Sequence, residues 1–277
     1  MSKLSFQDIL NGPAYVINLD RRPDRWQSTT EQLQSAGFNT INRWPAFDGS
    51  KDNSRDAFHQ LGIDKLSNQR DFLSLKGAQG CAISQLMLLR HIIDSGHPFA
   101  SIFEDDIRFS SLWNQLAPGF IRATPEAYDL LYLGSQIQYG SLSRWHPARR
   151  LHRSPRLSRL SQKLWPWPSR LLGDVLQCPV FCFHAVTITR QGCLRLLNFL
   201  TSQPTGIFIP DCMIHDAMAG LPSFPPFPLS WYAWNAGRLA SNVDERGRNP
   251  HWIKRNFGLV LQEEAFSTDI QPRLGTA

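Results

Sequence analysis

Along this 277-residue chain, short apolar or β-branched runs alternate with longer segments of helical periodicity, which restricts the fold more than any other feature. Ala14 to Leu19 follows Gly12-Pro13 and reads as a buried, central strand. Asp20 to Ala36 offers an N-cap candidate, an early Pro23, apolar Trp26, Leu33 and Ala36 at helical spacing, and Gly37 as a stop. Phe38 to Asp48-Gly49 reads as a second strand closed by a turn, and Lys51 to Leu75 as loop with a short helix near Arg55 to Leu61. A helix from Gly77 to Ser95 opens on small residues; a strand at Phe99, a helix over Leu112 to Ala123 and a strand over Tyr128 to Gly134 follow. The order β-α-β-α-β-α-β predicts an α/β sheet with helices on both faces. Further on, Pro179 to Thr189 reads as a strand, Gln191 to Thr201 and Pro210 to Ala219 as helices, Trp231 to Trp234 as a short strand, and Leu261 to Ala277 as a polar, frayed tail.

The strand at Phe99 ends in three consecutive carboxylates, Glu104-Asp105-Asp106. Carboxyl ends of strands are where open α/β sheets receive ligands. Alternation sends Glu104 and Asp106 to one side and Asp105 to the other. Three like charges this close repel, so a divalent cation or a basic ligand would stabilise them, and oxygen donors suit Mg2+ or Mn2+. A solvated turn accounts for an isolated acidic triplet equally well, and the neighbouring motifs have to decide.

Hydrophobic residues make up 42% of the chain, as in globular proteins. No run approaches the ~20 apolar residues of a membrane span, and Met1 to Asp8 lacks a signal-peptide core, so the expected location is cytoplasmic. Five cysteines, mostly within apolar segments, argue against a disulfide framework, and Cys178 and Cys182 lack a second pair for zinc. The net charge of +6 is concentrated. Between Gln136 and Gly173 there are seven Arg and one Lys and no acid, interleaved with Trp145, Trp165 and Trp167.

Four motifs carry a resemblance: Val16-Ile17-Asn18-Leu19 with Arg21 and Asp24-Arg25; Ala46-Phe47-Asp48-Gly49; Gly80-Cys81-Ala82-Ile83-Ser84; and Phe103-Glu104-Asp105-Asp106. In this order and spacing the chain resembles the family-25 glycosyltransferases, a group with bacterial lipooligosaccharide and animal collagen galactosyltransferases. His184 to Gly192 and Pro210-Asp211 resemble later segments of the family, and the C-terminal third matches poorly. The resemblance implies a GT-A-like fold: a Rossmann-like mixed central sheet flanked by helices, as one domain over residues 1–265 with a basic insertion at 136–177 and a tail at 266–277. It also implies a nucleotide-sugar donor, typically UDP-galactose, a Mn2+ or Mg2+ ion, and inversion at the anomeric carbon.

Electrostatics supplies matching roles. An ion bridging a diphosphate and a carboxylate stabilises the charge that develops on the leaving group. Asp106, with Glu104 second, is the expected metal carboxylate, and Asp105 an acceptor for ribose or sugar hydroxyls. Inversion needs a base opposite the leaving group, for which Asp211 is expected and Asp216 is the alternative. Asn18, Leu19, Arg21 and Arg25 follow the first strand, where a nucleotide would lie, although Arg21 and Arg25 also suit a solvated helix face paired with Asp24. Asp48-Gly49 fits a donor contact or an Asx turn equally, and Ser84 either faces the donor or packs. His184, alone in an apolar strand, suits a hydrogen-bonded core position better than a ligand role, and His215 is a weaker ligand candidate. The family pattern carries His after the Ser of G-C-x-x-S; here Gln85 keeps hydrogen bonding but cannot titrate.

Residues 144–170 suit an anionic acceptor, such as a lipid-linked lipopolysaccharide core at the inner membrane face. A protein or another polysaccharide is the alternative acceptor. A metal-dependent nucleotidyl or phosphoryl transferase would also use clustered acids, but it ordinarily needs further acids at strand ends, and no P-loop is present. A nucleic-acid-binding module accounts for the basic segment but not for the acidic strand end, so no specific nucleic acid is expected.

Overall fold

The computed structural model describes residues 3–68, 72–138, 174–235 and 254–262. Most of the basic insertion and the tail at 266–277 lie outside the described residues.

Strand β1 (Pro13–Asn18) lies between β2 (Thr40–Pro45) and β3 (Phe99–Glu104), parallel to both. Next comes β7 (Phe181–Thr189), antiparallel to β3 and to β5 (Leu130–Gln138). Beyond β5 lie β8 (Trp231–Asn235), parallel to it, and β6 (Asp174–Leu176), antiparallel to β8. A further strand, β9 (Lys254–Gly258), pairs with β5, giving an eight-stranded mixed sheet. A separate two-stranded ribbon joins β4 (Ile107–Phe109) to β10 (Val260–Gln262).

Helices cover both faces, as the alternation predicts. On one face α4 (Lys76–Ser95), α6 (Arg190–Thr201) and α7 (Pro210–Met218) bury Leu86, Leu89, Leu196 and Met213. The other face holds α1 (Phe6–Asn11), α2 (Pro23–Ser35) and α5 (Trp113–Ala123), with Ile9, Leu33, Trp113 and Ala117 inside. The short helix expected near Arg55 is α3 (Ser54–Gln60).

Local chemistry sets the boundaries. Pro23 opens α2, where its missing N–H costs no hydrogen bond, and Gly96, at φ 76°, terminates α4 in the left-handed region. A reciprocal capping box of Ser5 and Asp8 starts α1, a helix the apolar pattern does not announce.

The polar reading of the chain from Leu261 onward is corrected at its start. Val260 and Leu261 are buried, and β10 closes on β4 directly after the acidic triplet. Three residues are too few to show a period; partner pairing defines this strand. At the margins of the basic insertion, 136–138 belong to β5 and 174–176 form β6, so both ends of that interval are sheet.

Candidate active site

The carboxyl ends of β1 and β3 and the amino end of β7 meet at one edge of the sheet, joined there by the start of α4 and of α7. Two sets of motif residues lie here, and they do different work.

The first set is internal. Asn18, at the end of β1, is 1% exposed. Its amide donates to the Arg22 carbonyl (2.9 Å) and to Asp105 Oδ2 (2.7 Å), while its Oδ1 accepts from Arg43 Nε (2.8 Å). Arg25 reaches Asp105 Oδ1 at 3.1 Å, both side chains nearly sealed at 7% and 11% exposure. Thr29 Oγ1 donates to the Asp105 carbonyl at 2.9 Å. Asp105 and Arg25, expected toward sugar hydroxyls and a phosphate, are thus paired with each other. This buried ion pair, with Asn18, ties α2 and β1 to the end of β3. Burial explains the pairing, because a carboxylate turned inward needs a cation and donors inside the protein.

Ser84 is likewise turned inward: its hydroxyl accepts from the Phe47 N–H (2.8 Å) and donates to the Gly80 carbonyl (2.7 Å), which makes it a brace. The brace joins two motifs whose glycines are set by contact. A Cβ on Gly49 would stand 2.0 Å from the Lys76 carbonyl oxygen, and one on Gly80 would stand 2.6 Å from that of Phe47. Asp48 forms the Asx turn, accepting from the Ser50 N–H at 3.1 Å, and pairs with Arg21. Burial opposes its charge, yet the Ser50 and Arg21 hydrogen bonds hold its carboxyl below the usual range. The Leu19 carbonyl accepts from the Arg22 N–H, closing the turn between β1 and α2.

The second set is the acidic edge, where the chain turns at Asp105 and Asp106 directly after β3. Burial first, then the charges of Asp106 and Asp211, push the Glu104 carboxyl well above its ordinary value. Burial also raises Asp106, to about 6, against the opposing hydrogen bond from Gln262 Nε2 at 3.1 Å. Its Oδ1 is buried with no hydrogen-bond partner. Asp211 sits in the first turn of α7, its Oδ1 accepting from the Cys212 N–H at 2.8 Å, so the fold carries it from a distant segment to the acidic triplet. Asp216 is placed differently, bound by His215 Nδ1 at 3.0 Å, with that ring stacked on Phe181 at 3.6 Å.

Sequence reasoning did not select the thiols at this edge. Burial, then the charges of Glu104, Asp211 and Asp106, raises the Cys81 pKa well above normal, keeping it a thiol. Gln85 Nε2 approaches Cys81 Sγ at 3.5 Å, so the position where the family pattern has His abuts the acidic edge. Cys182, at φ 69°, is the one non-glycine residue among the described ones with a positive φ, a strained geometry of the kind found at functional sites. Arg43, on the edge strand β2, also went unselected; nothing in its half-exposed strand pattern marks it as the partner of Asn18 and Asp20.

His184 is a core residue: fully buried, its Nε2 donates to the Val260 carbonyl at 3.1 Å. Burial pulls its pKa from 6.5 down to about 4. A depressed histidine pKa means that protons bind the unfolded chain first as pH falls. Its contribution is complete above about pH 6.5 and lost by about pH 4, a difference of ~3 kcal/mol. Urea denaturation across that window should therefore show a shallower pH dependence for His184→Gln than for the parent. Parallel curves would remove His184 as the cause.

Chain direction and sheet order define the class: a mixed α/β protein with a central sheet flanked by helices and a cluster of part-buried carboxylates at the carboxyl edge of its parallel strands. The profile of the family described as "Glycosyltransferase family 25 (LPS biosynthesis protein)" matches residues 11–202. The chain belongs to this family. Among similar proteins, "Inactive glycosyltransferase 25 family member 3" of Homo sapiens is 31% identical over 140 residues, 48% of this chain and 22% of that protein. "Probable inactive glycosyltransferase 25 family member 3" of Bos taurus is 31% identical over 141 residues, with the same shares. "Glycosyltransferase 25 family member" of Drosophila pseudoobscura pseudoobscura is 29% identical over 126 residues, 43% of this chain and 20% of that protein. The chain thus spans about a fifth of the length of these relatives. Among the described residues, no helix is long and apolar enough to cross a membrane.

Proposed function

We propose that this protein is an inverting, metal-dependent glycosyltransferase of GT-A type that moves a hexose, galactose from UDP-galactose, onto a glycan such as a lipopolysaccharide or lipooligosaccharide core. The observation that carries this reading is Asp106 Oδ1, a carboxylate oxygen buried without a hydrogen-bond partner, next to Glu104, whose carboxyl the charges of Asp106 and Asp211 both raise. Among the described residues no three His, Cys, Asp or Glu side chains form a ready metal group. An ion here would therefore have to be held by one or two carboxylates and completed by substrate phosphates. Asp106, with Glu104 second, would hold Mn2+ or Mg2+, which when bound offsets the charge developing on the departing diphosphate.

The protein's own part is orientation and proton transfer. As the acceptor oxygen bonds to the anomeric carbon and the bond to the diphosphate oxygen breaks, Asp211 takes the acceptor hydroxyl's proton. The family description, with its reference to LPS biosynthesis, supports the acceptor class. The cationic run at 144–170 supports an anionic, lipid-linked acceptor at a membrane face.

Asp211→Asn should lower turnover about a hundredfold or more while leaving the donor dissociation constant within about threefold. Equal losses in both would make Asp211 a binding residue. The reading as a whole is tested by nucleotide release from a panel of UDP-, GDP- and CMP-sugars with Mn2+, an acceptor glycan, and EDTA as control. Release from UDP-galactose that EDTA abolishes supports it. Binding without release for any donor would favour a non-catalytic family member, a second reading suggested by Gln85 in place of the family's His and by the relatives named inactive.

A further inference from the structure

Strand β10 lies beyond residues 11–202, the part of the chain that matches the family, yet it reaches the acidic edge. Gln262 stands opposite Ile107 in the β4–β10 ladder, one residue from Asp106. Its Nε2 donates to Asp106 Oδ2 at 3.1 Å, and its Oε1 accepts from Gln136 Nε2 at 3.1 Å. An ionised carboxylate only accepts, so Gln262 has to turn its amino group to Asp106. Its carbonyl oxygen is then left for the Gln136 amide, and the two contacts fix the orientation of Gln262. One oxygen of Asp106 is held in place; the other, Oδ1, remains buried without a partner.

We propose that Gln262, anchored by Gln136, is a positioning residue for a divalent cation: it pins Asp106 through Oδ2 so that Oδ1 is presented to the ion. The inference rests on the reading of Asp106 as the metal carboxylate. Gln136 comes from β5 and Gln262 from β10, so the relay links two strands far apart in sequence to one carboxylate. Hydrogen bonds behind a ligating carboxylate commonly govern metal affinity tenfold to a hundredfold.

The test is binding of Mn2+ to the full chain with saturating UDP, followed by electron paramagnetic resonance, together with UDP affinity in the absence of metal. Gln262→Met keeps the side chain's length without its amide and should weaken Mn2+ binding about tenfold or more. Gln136→Met, which leaves β10 untouched, should weaken it by a smaller factor. Metal-free UDP affinity should stay within about twofold in both. Unchanged Mn2+ affinity in both variants overturns the proposal. So does a parallel loss of metal-free UDP binding, which would make the relay merely structural. If the parent chain shows no Mn2+ dependence at all, the metal reading of Asp106 fails first and the positioning role with it.

Discussion

Asp106→Asn should reduce transfer by at least about a thousandfold and raise the melting temperature of the ligand-free protein. The first effect follows from charge: asparagine keeps the volume and one acceptor oxygen but withdraws the anion that an ion at the leaving diphosphate would require. The second follows from the surroundings of Asp106, which is buried beside Asp105 and close enough to Glu104 to raise its pKa. Removing the charge relieves the acidic edge of repulsion and desolvation, worth about 2 kcal/mol at neutral pH. A site arranged for chemistry is commonly held at the expense of stability. Transfer assays and thermal melts on one preparation separate the possibilities. Normal turnover would refute the metal role, and a lower melting temperature would show that Asp106 supports the fold.

Asp105→Ala should act on the opposite property. The neighbouring carboxylate is the interior partner of Arg25, and its loss leaves a guanidinium at 7% exposure with its counterion removed. Breaking one side of a buried pair costs about 3–5 kcal/mol, or roughly ten degrees in melting temperature for a domain of this size. Asn18 would also lose the 2.7 Å acceptor that helps to orient its amide. Replacing both partners, Asp105→Leu with Arg25→Met, should recover much of the loss, because no unpaired charge then remains. A stable Asp105→Ala protein with selectively weakened nucleotide binding would return Asp105 to the ligand side of the site.

These contrasting expectations for adjacent residues show how far the amino-acid order could be read. The α/β layering was legible because strands such as Ala14–Leu19 and helices such as Gly77–Ser95 carry their periodicity locally. Alternation at the end of β3 could not say what Asp105 would meet, because the strand stops at Glu104 and the chain turns there. Arg25 and Asp105 are 80 residues apart, and only the parallel pairing of β1 with β3 brings their segments together. Ser84 was ambiguous for the same reason: its acceptor role depends on Phe47, which lies 37 residues earlier. Gln262 gave no local signal at all. A three-residue strand near the end of the described chain becomes meaningful only when β4 supplies its partner.

The inward turn of Asp105 has a consequence for distinguishing working members of this family from silent ones. Selection for stability alone would preserve Asp105 together with Asn18 and Arg25, whether or not sugar is ever transferred. Asp106 is held instead by the amide of Gln262, without a buried ion pair; if Glu104 and Asp106 hold the ion as proposed, loss of catalysis would leave them freer to drift than Asp105. On the proposed reading, the middle letter of E-D-D would then record ancestry, and the outer two would report on vocation.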